Sequence, residues 1–189
     1  FPHLAGCADD LCMINSMHGS NSRHGGALLE LHTGSDTFVR PSMGSWITYG
    51  LGSENQDLPG YIVLRDPAGY NTSGKAVWSS GWMPALYQGT EFNSQGNAVH
   101  HLHRSSRPSR ASHGRSMQLL SRLNRQHSVL HPREYELEAR IANFEMAARM
   151  QLAAADVLDL SKENKETRRL YGLDNPTTAG YGTRCLMAR

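Results

Sequence analysis

The chain has 189 residues, 39% of them apolar and 19% charged, with a formal net charge of +2. That length suits one domain with a substantial core, so mild a charge does not by itself point to a nucleic-acid partner, and no apolar run approaches the ~18 residues of a membrane span. Three cysteines, Cys7, Cys12 and Cys185, form no CxxC spacing, and an odd count does not make a disulfide framework.

In chain order, His3 to Asp10 reads as a helix and Leu11 to Met17 as a short buried strand. Gly25 to His32 is apolar enough for a helix packed on a sheet, stopped by Thr33-Gly34-Ser35-Asp36. Pro41 to Gly52 spaces Met43, Trp46, Ile47 and Leu51 on one face and predicts a second short helix. Leu58 to Arg65, rich in β-formers, predicts a second strand. Helices and strands alternating at this spacing point to an α/β fold with a parallel sheet. From Asp66 periodicity is lost, and 66–103 reads as a long excursion in which Trp78, Trp82, Tyr87 and Phe92 anchor it to the body.

Residues 104–116, rich in Ser and Arg, read as a flexible linker. The segment 117–189 is helical. It holds Met117 to Gln126, then a long helix from Pro132 to about Leu158 with Leu137, Ile141, Phe144 and Ala148 as its core seam. A short helix from Leu160 and Ser161 to Tyr171 is closed by Gly172, and Thr183 to Arg189 looks like a helix beginning. Phe1 opens inside a helical pattern. The expectation is therefore a single incomplete domain over 1–189, an internal piece of a longer polypeptide, with 1–65 as its strand and helix core.

The densest chemistry lies where the first strand meets the second helix. His18, Ser20, Asn21, Ser22, Arg23 and His24 fall within seven residues, directly before a helix whose N-terminus presents unpaired N–H groups and a positive dipole end. Nucleophile, acid/base and anion-binding groups are all represented. The alternative is that Ser, Asn and Gly form only a turn and an N-cap.

Two other clusters stand out. No acidic residue occurs between Glu91 and Glu134, whereas Arg104, Arg107, Arg110, Arg115, Arg122, Arg125 and Arg133 do. This stretch fits RNA contact by a basic arm, attraction of an anionic substrate, or simply a solvated linker and helix face, and no interleaved aromatic platform supports RNA. His100, His101 and His103 could ligate zinc or copper, but no Cys, Asp or Glu partner follows at a defined interval. His113, His127 and His131 read as surface residues or caps.

Several blocks resemble a known family in the right order: SMHGSNSRHGGALLELHTGS, RPSMGSWITYGLGSENQDLPGYIVL, GWMPALYQGTEF, ARIANFEMAARMQ, RRLYGL and YGTRCLMAR. They look like the sulfatase-like family called domain of unknown function 1501, abundant in planctomycete-type bacteria. The resemblance implies membership of the alkaline phosphatase superfamily. Its fold is a three-layer α/β sandwich around a mostly parallel central sheet, here with a helix-rich C-terminal half. It also implies hydrolysis of a sulfate or phosphate ester, on a small molecule or polysaccharide, with one or two divalent metal ions. A nucleophile on a strand-to-helix loop attacks while metals and a cation stabilise the charged oxygens.

Leu31-His32-Thr33-Gly34 is similar to the end of the sulfatase helix, but the Cys-x-Pro-Ser-Arg motif is absent, so no formylglycine nucleophile is available in this loop. Carried onto this loop, the resemblance implies Ser20 or Ser22 as nucleophile, His18 or His24 as acid/base or metal ligand, and Asn21 and Arg23 as substrate contacts. The superfamily's Asp-bearing N-terminal and Asp/His-bearing C-terminal metal segments do not occur in these residues, so the piece alone is expected to be inactive. Relatives often begin with a twin-arginine-type signal, which implies export for the longer protein. A second expectation is a non-catalytic binding or scaffold relative that keeps the fold without the metal chemistry. A third is an Arg/Ser-rich RNA-binding segment.

Overall fold

The computed structural model describes residues 2–99 and 109–189. It is helix-rich, with a small parallel sheet. The helices are α1 (Pro2–Ala5), α2 (His24–Thr33), α3 (Met43–Leu51), α4 (Arg110–Leu130), α5 (Tyr135–Val157), α6 (Lys165–Leu170) and α7 (Pro176–Met187). Strands β1 (Ile62–Val63) and β2 (Thr90–Glu91) pair in parallel, with Ile62 opposite Thr90 and Val63 opposite Glu91. Thr90 N–H donates to the Tyr61 carbonyl and Phe92 N–H to the Val63 carbonyl, both at 2.9 Å.

Leu11 to Met17 is not a strand. It runs as an irregular chain with a turn at Asn15 and Ser16, and its apolar side chains face water: Met13 is 75% exposed and Met17 70%. A strand forms only where a neighbour takes its N–H and C=O groups, and no neighbouring strand pairs with this segment among the described residues. The expected first helix likewise breaks into α1 and a 3-10 turn at Ala8–Asp10. The sequence pattern missed β2, because two residues are too few for a period to show.

The expected linker is partly helix. α4 starts at Arg110, seven residues before Met117, because the Ser109 hydroxyl caps it by accepting from Ser112 N–H at 3.2 Å. Residues 104–108 lie outside the described residues. α7 also begins earlier than expected, at Pro176, where the Asn175 carboxamide accepts from Thr177 N–H at 3.0 Å and proline fits the first turn.

The long helix α5 forms as expected but turns a different face inward. Ala139 and Met150 are buried, with half-buried Ala142 and Met146 on the same side, whereas in the expected seam Leu137, Ile141 and Ala148 are half-buried and Phe144 is 70% exposed. Both stripes have helical spacing. The alanine and methionine stripe wins because small and flexible side chains let α5 approach the Ala85–Tyr87 turn closely.

Phe92 and Met150 form the centre of a core packed by Leu58, Leu64, Val99, Met146, Leu158 and Met187, which ties β2 to α5 and α7. Full burial of such a side chain is worth about 1.5–3 kcal/mol. A second buried knot joins α3 to the excursion. Ser45 is wholly buried; its hydroxyl lies 3.0 Å from that of Ser42 and donates to the Ser79 carbonyl at 3.1 Å, which also accepts Ser42 N–H at 3.0 Å. In the excursion, Trp78 and Phe92 are the anchors expected of them, while Trp82 is 69% exposed.

Candidate functional site

The loop before α2 folds back onto its own helix. The Ser20 hydroxyl donates to Glu30 Oε1 at 2.8 Å and Ser20 N–H to Glu30 Oε2 at 2.9 Å. Glu30 is the only carboxylate on α2, placed two turns from its start. The pair is open to solvent on the serine side.

Asn21 sets the loop's next turn. Its carboxamide oxygen accepts from Arg23 N–H at 2.9 Å while its NH2 donates to Asp36 Oδ2 at 2.9 Å, joining the two ends of α2. This fit needs glycine at the facing position, since a Cβ on Gly26 would lie 2.3 Å from Asn21 Nδ2. Asp36 also accepts from the Thr37 hydroxyl at 2.9 Å. Hydrogen bonds to its charged form, first from Asn21 and then from Thr37, hold its carboxyl below the ordinary carboxylate value. Gly34, at φ 73°, closes the helix in the left-handed conformation, as the Thr33-Gly34 pattern predicts.

Arg23 is the N-cap of α2 and no side chain caps the helix there. The N–H groups of His24, Gly25 and Gly26 consequently face outward with the helix dipole behind them. Ser22, Arg23 and His24 are exposed beside them, and His18 is held at the loop's entrance with Nδ1 3.2 Å from the Ser16 carbonyl. The excursion supports this end from behind, where the Ser73 hydroxyl donates to the Gly25 carbonyl at 2.7 Å.

Of the expected site residues, then, Ser20 is paired with a carboxylate and Asn21 is a scaffold of the loop, while Ser22, Arg23 and His24 line the helix start. Glu30 was not among them. A lone acidic residue inside an apolar helix was the available signal. No group of three or more His, Cys, Asp or Glu side chains that could hold a metal ion gathers among the described residues.

Elsewhere, His131 ends α4, with Nδ1 3.4 Å from Glu134 Oε1 and its ring 4.3 Å from that of His127. His113 is buried rather than at the surface. His100, His101 and His103 lie outside the described residues, as do Arg104 and Arg107. Arg115, Arg122 and Arg125 project from α4, which is therefore a folded basic helix and not a flexible arm. No helix among the described residues is long and apolar enough to cross a membrane.

Comparison with curated proteins and with solved structures finds no match. A family model described as "Protein of unknown function (DUF1501)" matches residues 1–189, and the chain belongs to that family.

Proposed function

We propose that this chain is the central segment of a sulfatase-like metallohydrolase that cleaves a sulfate or phosphate ester of a small molecule or polysaccharide. Ser20 is the nucleophile of this reading. The observation that carries it is the Ser20 hydroxyl donating to the Glu30 carboxylate, which stands two turns along α2 from its uncapped start. A carboxylate in that position accepts the serine proton as the oxygen attacks sulfur or phosphorus, and outward N–H groups suit the ester's anionic oxygens. Ser22 is the alternative nucleophile, His18 and His24 the acid/base or metal-binding candidates, and Arg23 and Asn21 the substrate contacts.

The resemblance to the alkaline phosphatase superfamily supplies the rest of this reading: a three-layer sandwich, a planctomycete-type bacterial setting and an exported longer protein. The divalent metal ions belong to that longer protein, with ligands from segments outside these residues. The test is hydrolysis of aryl sulfate and aryl phosphate by the longer protein with divalent metals, comparing Ser20→Ala, Ser22→Ala and His24→Ala. Loss of turnover in Ser20→Ala is the expected result, and unchanged turnover in all three variants would overturn the catalytic role of the loop.

A non-catalytic binding or scaffold protein is the second reading. It keeps the fold without the metal chemistry. Absence of Asp and His metal ligands in the flanking segments of the longer protein would decide for it.

A further inference from the structure

A cavity of about 310 Å³ is walled by the C-terminal end of α3, residues 52–61, the Ala85–Tyr87 turn and α5. Its size falls within the range of small-molecule sites. Tyr61, Tyr87, Gln88, Thr90 and Glu145 are among the polar residues that line it. None of these five side chains has a hydrogen-bond partner among the described residues.

The cavity's other charged lining residue, Arg149, is already engaged. Its Nε donates to the Gln56 carbonyl at 2.8 Å and lies 3.9 Å from Asp57. Its charge stands in the same lining as that of Glu145, so the cavity carries one cation and one anion and offers a phosphorylated or sulfated group no net counter-charge.

A row of aromatic rings runs out of the same cavity. Tyr87 packs edge-to-face on Tyr49 at 5.3 Å, Tyr49 on Trp46 at 6.3 Å and Trp46 on Trp82 at 5.5 Å. Tyr49, Trp46 and Trp82 remain 57%, 49% and 69% exposed. Adjacent rings open to water in this way form a surface on which a ligand can stack. Flat apolar rings with polar tips, leading to a pocket of hydroxyl, amide and carboxylate groups, match one ligand chemistry. A pyranose chain offers C–H faces to stack on rings and hydroxyls to bridge Glu145 and Gln88.

We propose that the Trp82–Trp46–Tyr49–Tyr87 row and the cavity at Glu145 form a binding cleft for an uncharged polysaccharide, with one sugar ring seated in the cavity and neighbouring rings along the aromatics. This goes beyond ester hydrolysis at the α2 loop and rests on the cleft alone. It is read by binding, so its failure leaves the hydrolytic reading untouched, and the reverse also holds.

The experiment is affinity electrophoresis of the longer protein in gels cast with hydroxyethylcellulose, laminarin, galactomannan or arabinoxylan, with dextran sulfate as a charged comparison. Retardation by at least one uncharged polymer, insensitive to salt, is expected. Trp82→Ala, an exposed position whose loss leaves the circular dichroism spectrum unchanged, weakens it about tenfold. Glu145→Gln, which keeps the side chain's shape, also weakens it, whereas Leu130→Ala at the exposed end of α4 does not. No retardation by any of the four uncharged polymers would overturn the proposal, as would retardation by dextran sulfate alone that vanishes with salt. A dimer in sedimentation that Trp82→Ala dissociates would assign the row to a second copy of the chain and overturn it too.

Discussion

Glu30 receives both the hydroxyl and the backbone N–H of Ser20, one on each carboxylate oxygen, so one side chain both fixes the loop and faces the proposed nucleophile. In the longer protein, Glu30→Gln keeps an acceptor for the N–H but removes the base. The expected result is a fall in kcat of about 10²–10⁴-fold on an aryl ester, with stability in urea denaturation unchanged. A change that acts by loosening the loop alone lowers stability and activity together.

Asn21 and Gly26 are coupled through the space between them, since a Cβ at Gly26 would displace the carboxamide that binds both Asp36 and Arg23 N–H. Gly26→Ala alone is expected to destabilise by about 1–3 kcal/mol in urea denaturation. In an Asn21→Ala background the same change becomes neutral or stabilising by up to about 1 kcal/mol, because alanine is the better helix residue once the clash is gone. Additive effects of the two changes would show that the loop does not pack on α2 as described.

Asp36 gives this loop a pH dependence with a definite sign. Hydrogen bonds from Asn21 and Thr37 lower its carboxyl below the usual value in the folded chain. A lowered folded pKa contributes stability above the unfolded carboxylate pKa, which is lost as pH falls through the folded value. A carbon-detected titration of the Asp36 carboxyl should show the lowered midpoint. Asn21→Ala moves it up toward the ordinary range further than Thr37→Ala does, and the opposite ranking would reject the assignment of causes.

Phe92 and Phe144 test which way the structure turns its long helix. Phe92 lies in the core at 2% exposure, so Phe92→Ala should cost about 3–5 kcal/mol. Phe144 is 70% exposed, and Phe144→Ala should change stability by under about 0.5 kcal/mol. Equal costs in thermal unfolding would restore the Leu137, Ile141, Phe144 and Ala148 seam as the buried face.

The helices α2, α3 and α5 were legible because each carries an apolar period and a stop signal in its own residues, Gly34 after α2 and Gly52 after α3. Their orientation was less so. On α5 two stripes have the same spacing, and only the close approach of the Ala85–Tyr87 turn selects between them. The segment Leu11 to Met17 has strand-forming composition without a strand, since pairing is a property of two segments. The loop residues His18 to His24 were recognisable by their chemistry. Glu30 and Asp36, ten and fifteen residues from their loop partners Ser20 and Asn21, were not, because a fold-back brings them together rather than a local motif. The cleft at Glu145 draws on α3, the excursion and α5, and no single stretch of sequence contains it.

The parallel pairing of β1 with β2 bears on how the chain acquires its shape. Parallel strands cannot be joined by a tight turn, and here the connection spans residues 64–89 and contains 3-10 turns instead of an α-helix. The α4–α5 contact, by comparison, joins neighbours across a short bend. Loop closure must be met before the two strand amides, Thr90 and Phe92, can find their carbonyls. Contact order therefore leads us to expect the helical hairpin to form before the sheet, whose closure depends on the long crossover more than on the β-preference of Ile62 and Val63.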